Sequence, residues 1–335
     1  MKKFVAILLT LMLVLGIGAA VADEGPATPT TDLTDHETVK IKKVYKLEGA
    51  GTSPVETFTL KQVGDGTVTN GEATSAPALG TITGAAFAAG AATANGATGE
   101  ITVALPEYTS VGVYEYTLQE VAGTTAGVAY YGKTIKLVVT VINGENGKLR
   151  IAAVHTESED EEKSDKFVNT YRAGTLNVSK TVTGNMGDKN KYFEFDVTLT
   201  GEEGKAYGES YVVSGGSKEA NNPASIKIGE KTTFKLKHGD TLSIANLPYG
   251  VTYTVTEVDA KENEKGVLMN GDYEVTKTGD SGTIGAASQT AAFTNHKDGE
   301  IDTGVTTENL PYVLLIGFVV LAGAALLIKR KAHNN

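Results

Sequence analysis

One pattern of strand-like runs occurs twice along this chain of 335 residues, and this repeat restricts the fold more than any other feature. Residues 38–45 align with residues 175–182, and residues 116–121 align with residues 253–258. In both copies, 77 residues separate a lysine in the first run from a glutamate in the second. Self-similarity at this scale indicates a tandem repeat of one domain.

The repeated units are rich in short alternating runs of apolar and polar residues, as in residues 192–197, and Gly, Asn and Asp punctuate them. No long helical period occurs between the two ends of the chain. We therefore predict an all-β fold of two tandem immunoglobulin-like β-sandwich domains, at residues 38–172 and 173–298. The Ala/Gly-rich stretch at residues 85–99 is predicted to be a loop or irregular cover.

The N-terminus has the order of a secretory signal peptide over residues 1–22. Lys2 and Lys3 precede an apolar run, and small residues end it at Ala22, after which cleavage is expected. An uncleaved anchor is the alternative, and the short apolar run fits it less well. The Pro/Thr-rich residues 23–37 are predicted to form a flexible segment.

The C-terminus, residues 299–335, has the order of a membrane-anchoring signal. Residues 310–328 are apolar over about the 20 residues that span a bilayer, and the basic residues 329–331 follow them. The pair Thr303-Gly304 lies just before this span. The body of the protein is therefore expected outside the cell. A plain, uncleaved tail anchor is the simpler alternative to a signal that is processed.

Composition excludes several functional classes. The net charge is −10, aromatic residues make up 7%, and tryptophan is absent, so nucleic acid is not an expected partner. The absence of cysteine excludes disulfides and thiolate metal sites. Five scattered histidines and the lack of hydrolase motifs argue against an enzyme, and we predict no cofactor and no metal. The acidic residues 157–162 could bind a cation weakly, but a solvated loop is preferred.

Three polar residues in each copy share strand parity with apolar neighbours and are predicted to point into the core. A lysine that snorkels to water or an asparagine that caps a turn is the simpler alternative. Because burial of an unpaired charge costs several kcal/mol, matched recurrence in two copies favours a functional set. The six residues are Lys43, Glu120 and Asn169 in the first copy and Lys180, Glu257 and Asn295 in the second.

These residue types suit the formation of an intramolecular amide. The lysine Nζ attacks the carbonyl carbon of the asparagine side chain, ammonia leaves, and an isopeptide bond remains. An apolar site favours the neutral, nucleophilic amine and the protonated carboxylic acid. The glutamate would then polarise the carbonyl and move protons to the leaving ammonia. The reaction occurs once per site, so it does not make the protein an enzyme in the ordinary sense.

The chain resembles the sortase-assembled Gram-positive pilins of the streptococcal backbone-pilin, or T-antigen-like, type. The resemblance rests on the two Lys-Glu-Asn sets, the terminal signals, and the motifs Leu105-Pro106-Glu107-Tyr108 and Asn246-Leu247-Pro248-Tyr249-Gly250. It implies isopeptide bonds Lys43–Asn169 and Lys180–Asn295, assisted by Glu120 and Glu257.

The resemblance also implies how the chain is assembled. Sortase would cut between Thr303 and Gly304, although the residues Glu300-Ile301 stand where the common signal has Leu-Pro, which leaves the sortase class open. The implied partners are sortase, identical subunits, other pilins and peptidoglycan, and the precursor would lie transiently in the membrane. Lys163 or Lys166 would be the acceptor lysine, with Lys163 preferred. A monomeric wall-anchored adhesin is the alternative function.

Overall fold

The structure is a computed structural model that describes residues 37–158 and 166–299. Within those ranges it contains 23 β-strands and two 3-10 turns, and no α-helix. No helix in these ranges has the length and apolarity needed to cross a membrane. The predictions that lie outside the described residues are the signal peptide at 1–22, nearly all of the segment 23–37, the span 310–328, Lys163, Thr303 and Gly304.

The strands are numbered in chain order. The first eleven are β1 Thr38–Gly49, β2 Glu56–Phe58, β3 Leu60–Gln62, β4 Thr67–Thr69, β5 Ile82–Thr83, β6 Ala85–Phe87, β7 Ala97–Ala104, β8 Gly112–Glu120, β9 Val128–Ala129, β10 Thr134–Asn143 and β11 Leu149–Ser158. The remainder are β12 Lys166–Thr183, β13 Phe193–Thr200, β14 Tyr211–Gly215, β15 Ser225–Ile226, β16 Lys231–Leu236, β17 Thr241–Pro248, β18 Thr252–Glu257, β19 Lys261–Glu262, β20 Leu268–Asn270, β21 Tyr273–Thr278, β22 Ser281–Thr283 and β23 Ser288–His296. The 3-10 turns are Glu145–Gly147 and Lys218–Ala220.

The N-terminal half places two main sheets and the small β2-β6 sheet around one core. One sheet has the order β5-β7-β1-β12-β9, and the other has the order β11-β10-β8-β3, with β4 also paired to β8. Burial alternates along β8 and along the first six residues of β1, as the period of two in their sequences predicts, and Val44 is buried as well. Large rings fill the interior between the sheets, among them Tyr45, Phe58, Tyr116 and Phe167. The all-β prediction is confirmed.

The C-terminal half repeats this plan around a second core. Its first sheet has the order β15-β14-β17-β12-β23-β21-β20-β19, and its second has the order β16-β13-β18-β22. Phe195, Phe234 and Phe293 are fully buried in this second core. Strand β12 has 18 residues and belongs to both halves, so the predicted domain boundary near Arg172 falls inside one continuous strand.

The prediction for residues 85–99 needs correction in part. Ala85–Phe87 forms strand β6, which pairs with β2, and the stretch ends within β7. Ala85, Phe87 and Ala92 are buried in the first core. Small side chains in this stretch allow close packing, as at Gly99, where an added Cβ would lie 2.9 Å from the Phe87 ring. The Ala/Gly-rich composition suggested a loop because composition carries no information about how closely small residues pack in the fold.

Candidate functional site

In the N-terminal half, Lys43, Glu120 and Asn169 meet in the interior, and each side chain is at most 4% exposed. Lys43 Nζ donates hydrogen bonds to Glu120 Oε2 and to Asn169 Oδ1, the latter at 2.7 Å. Asn169 Nδ2 donates to Glu120 Oε1 at 2.6 Å. The three predicted residues therefore form a closed ring of direct hydrogen bonds.

The C-terminal half contains the same arrangement of Lys180, Glu257 and Asn295, all at most 2% exposed. Lys180 Nζ donates to Glu257 Oε2 at 2.9 Å and also to Asn295 Oδ1. Asn295 Nδ2 donates to Glu257 Oε1 at 2.6 Å. The structure thus brings all six predicted residues together in two matching sets.

Strand pairing explains why the lysine and the asparagine of each set are close. β1 runs parallel to β12, with Lys43 opposite Phe167 and Asn169 two residues further on. β12 runs parallel to β23 in the same way, with Lys180 opposite Phe293. Residues two apart share a face, so lysine and asparagine of adjacent strands point to the same side. The glutamate ends β8 or β18 and reaches across from the facing sheet.

Aromatic rings surround both amines and remove them from water. Lys43 Nζ lies 5.2 Å from the centre of the Phe58 ring, and Lys180 Nζ lies 4.0 Å from that of Phe193. Burial lowers the pKa of the Lys43 amine, and the Glu120 carboxyl opposes only part of that effect. Burial likewise lowers the pKa of Lys180 to about 8, against a smaller raising effect of Glu257. Both amines are therefore closer to the neutral, nucleophilic form than an exposed lysine is.

Each glutamate also has a partner that the sequence did not reveal. The backbone N–H of Tyr131 donates to Glu120 Oε1 at 3.1 Å. Asn270 Nδ2 donates to Glu257 Oε1 at 2.7 Å and to Val258 O at 3.0 Å. The donor of Tyr131 is a backbone N–H, which no residue type indicates in the sequence. Asn270 has no equivalent asparagine in the first copy, so comparison of the two repeats does not identify it.

Two family models together match most of the described part of the chain. Residues 39–172 match the family described as a Spy0128-like isopeptide containing domain, and residues 174–297 match a domain of unknown function, DUF7601. A pilin of Streptococcus pyogenes serotype M1 is 30% identical over 238 residues, which cover 66% of this chain and 68% of the relative. This chain belongs to the pilin family. As a pilin, it is a structural subunit of a pilus.

Two further similarities extend the comparison. The pilus tip adhesin Cpa of Streptococcus pyogenes is 35% identical over 140 residues, which cover 40% of this pilin and 18% of the adhesin. The solved structure of the major pilin of Streptococcus pyogenes is 23% identical in sequence to this pilin, with a TM-score of 0.49. The match covers 79% of this pilin and 100% of the solved chain.

The structure describes only one of the two lysines that were predicted as acceptors of polymerisation. Lys166 is the first residue of β12, and its backbone pairs with Lys42 of β1. Lys163 precedes it in residues 159–165, which the structure does not describe. Among the described residues, no group of three or more His, Asp or Glu side chains could hold a metal ion.

Proposed function

We propose that this pilin is a covalently polymerised subunit of a Gram-positive cell-wall pilus, and that a self-formed isopeptide bond stabilises each of its two immunoglobulin-like domains. The bonds join Lys43 to Asn169 and Lys180 to Asn295. One observation carries the proposal: each buried lysine amine lies within hydrogen-bond distance of an asparagine amide, and a single buried carboxyl contacts both.

The ring of hydrogen bonds matches the proton transfers that the reaction needs. In the first domain, Lys43 Nζ attacks Asn169 Cγ, and the amine proton passes to Glu120 Oε2. Glu120 Oε1 contacts the amide nitrogen that must leave, so the same carboxyl can protonate it. The products are one amide and one ammonia, and the glutamate returns to its initial state. Fixed geometry in a dry site supplies much of the rate enhancement.

Each of the two bonds would have one of its residues on the same continuous strand, β12. Asn169 and Lys180 both belong to β12, which pairs in parallel with β1 and with β23. Tension between the two ends of the molecule would pass from β1 to β12 and on to β23 through covalent links. Shearing of the hydrogen-bond ladders would no longer be needed to carry that load, which suits a pilus shaft.

The mass of the purified protein tests both bonds. Residues 23–299, expressed as a recombinant chain, should weigh about 34 Da less than their sequence mass, because each bond releases one ammonia of about 17 Da. Intact-protein mass spectrometry measures this deficit. Asn169→Ala together with Asn295→Ala should restore the full mass calculated for that variant. A wild-type chain without any deficit would contradict the proposal.

A second test concerns the acceptor of polymerisation, for which we propose Lys163. Tandem mass spectrometry of digested polymer should find a branched peptide that joins the Thr303 carbonyl to the Lys163 amine. Lys163→Arg should abolish this branch, and Lys166→Arg should retain it. A branch at Lys166 would overturn the choice of Lys163 but not the proposed polymer.

The adhesin remains the second candidate, because the similarity to a pilus tip adhesin includes 40% of this chain. Detergent-resistant ladders of regularly spaced multimers in wall extracts would support the polymerised shaft. A single wall-linked species would support the adhesin.

A further inference from the structure

The residues that follow β23 are tied to the turn that follows β12. Asn185 Nδ2 donates to Gly299 O at 2.9 Å, and Asn185 Oδ1 accepts from Gly299 N at 2.8 Å. A side-chain amide that donates to the C=O and accepts from the N–H of one residue imitates the hydrogen bonds of a neighbouring strand. It therefore extends the contact between the two segments beyond the last ladder pair, Thr183 with His296.

Further bonds hold the same segment. Lys297 N donates to Thr183 O, and Met186 N donates to Lys297 O, both at 3.1 Å. Asn185 N donates to Asp298 Oδ1 at 2.9 Å, and this bond lowers the pKa of the Asp298 carboxyl. The segment is thus fixed by main-chain and side-chain contacts in succession.

Gly184 permits this close approach. Its φ is +91°, in the left-handed region that favours glycine, and an added Cβ would lie 2.1 Å from Lys297 O and 2.9 Å from Asp298 Oδ1. Any larger residue would push the segment away from the turn. The turn and the segment are therefore matched in shape as well as in hydrogen bonding.

We propose that Asn185 is a positioning residue for the joint between subunits, because it fixes the base of the segment that carries Thr303. This inference rests on the proposed role of Thr303 as the residue joined to the next subunit. Thr303 is only four residues beyond Gly299, so the stretch between them spans at most ~14 Å. If the contact with Asn185 were lost, the ladder would still hold His296, so the free length would begin at Lys297 and would grow by about half, to at most ~21 Å.

A short joint restricts how far one subunit can swing relative to the next. The Lys180–Asn295 bond would stop tension from peeling β23 away, but it lies before the segment that Asn185 holds. Without Asn185, residues 297–299 would extend the joint under load and widen its range of orientations. With Asn185, successive subunits keep a narrower relative orientation.

Amide hydrogen exchange tests whether Asn185 holds the segment in solution. Asn185→Ala should speed exchange at the Lys297 and Met186 amides by about tenfold, although their own backbone acceptors are unchanged. Asn222→Ala is a matched control, because Asn222 forms the same pair of bonds with Lys235 O and N, at 2.9 and 2.7 Å. Equal exchange at Lys297 and Met186 in both variants would overturn the inference.

The joint itself is tested in sortase-joined dimers. The chain has no cysteine, so Thr256→Cys on the exposed face of β18 gives one nitroxide site per subunit. The distribution of distances between the two nitroxides should broaden by about half with Asn185→Ala and stay unchanged with Asn222→Ala, while both variants unfold at similar temperatures. Equal widths would overturn the positioning role alone. If even the wild-type chain formed no dimer, the proposed function would fail and the joint with it.

Discussion

Glu120→Ala should leave the first domain without its covalent bond while the bond of the second domain still forms. The carboxyl of Glu120 contacts both Lys43 and Asn169, and no other described acid contacts them. The mass deficit should fall from about 34 to about 17 Da. The lost link closes a loop between residues 126 apart, which in the loop-entropy estimate for cross-links contributes ~5 kcal/mol to stability. Calorimetry should show the first domain unfolding on the order of 15 °C earlier.

Two control variants separate the parts of this effect. Glu257→Ala should remove only the second bond, because each site has its own acid. Asn169→Ala should remove the first bond but keep the Lys43–Glu120 pair. It should therefore destabilise the domain less than Glu120→Ala, which leaves a buried amine without a carboxyl partner. If Glu120→Ala lost both bonds, independent folding of the two domains would be wrong. If it lost neither, Glu120 would have no part in the reaction.

Thr303→Ala should abolish polymerisation, and the chain should accumulate as a membrane-bound monomer. The proposed transfer passes the Thr303 carbonyl to sortase and then to an amine, so the residue on the acyl side of the cut is decisive. The expected result on a denaturing gel is complete loss of the multimer ladder. Cell fractionation should move the protein from the wall to the membrane.

Thr306→Ala is a suitable control, because it changes the same residue type three positions beyond the proposed cut. It should leave the ladder intact. A wall-linked ladder that persists in Thr303→Ala would show that another residue is the acyl donor. The internal bonds should form normally in both variants, and an unchanged mass deficit would separate a failure of assembly from a failure of folding.

Strand parity and the repeat were enough to identify the interior polar residues. A period of two assigns Lys43 and Lys180 to the apolar face of their strands, and all six side chains of the two sets are buried in the structure. The cost of an unpaired buried charge then predicts that these residues have partners. The all-β class follows from the same alternation, because the pattern of apolar and polar residues along a strand shows which face of it is buried.

Which strands become neighbours was decided only by the tertiary structure. Parity states the face of a side chain but not the strand that pairs beside it or the sheet that packs across it. The parallel pairing of β1 and β23 with the shared strand β12, and the approach of Glu120 and Glu257 from the facing sheets, join residues far apart in the sequence. The structure was likewise needed to find the hydrogen bonds of Tyr131 N–H, Asn270 and Asn185. A hydrogen bond depends on the positions of both partners, and the local sequence gives no information about the distant one.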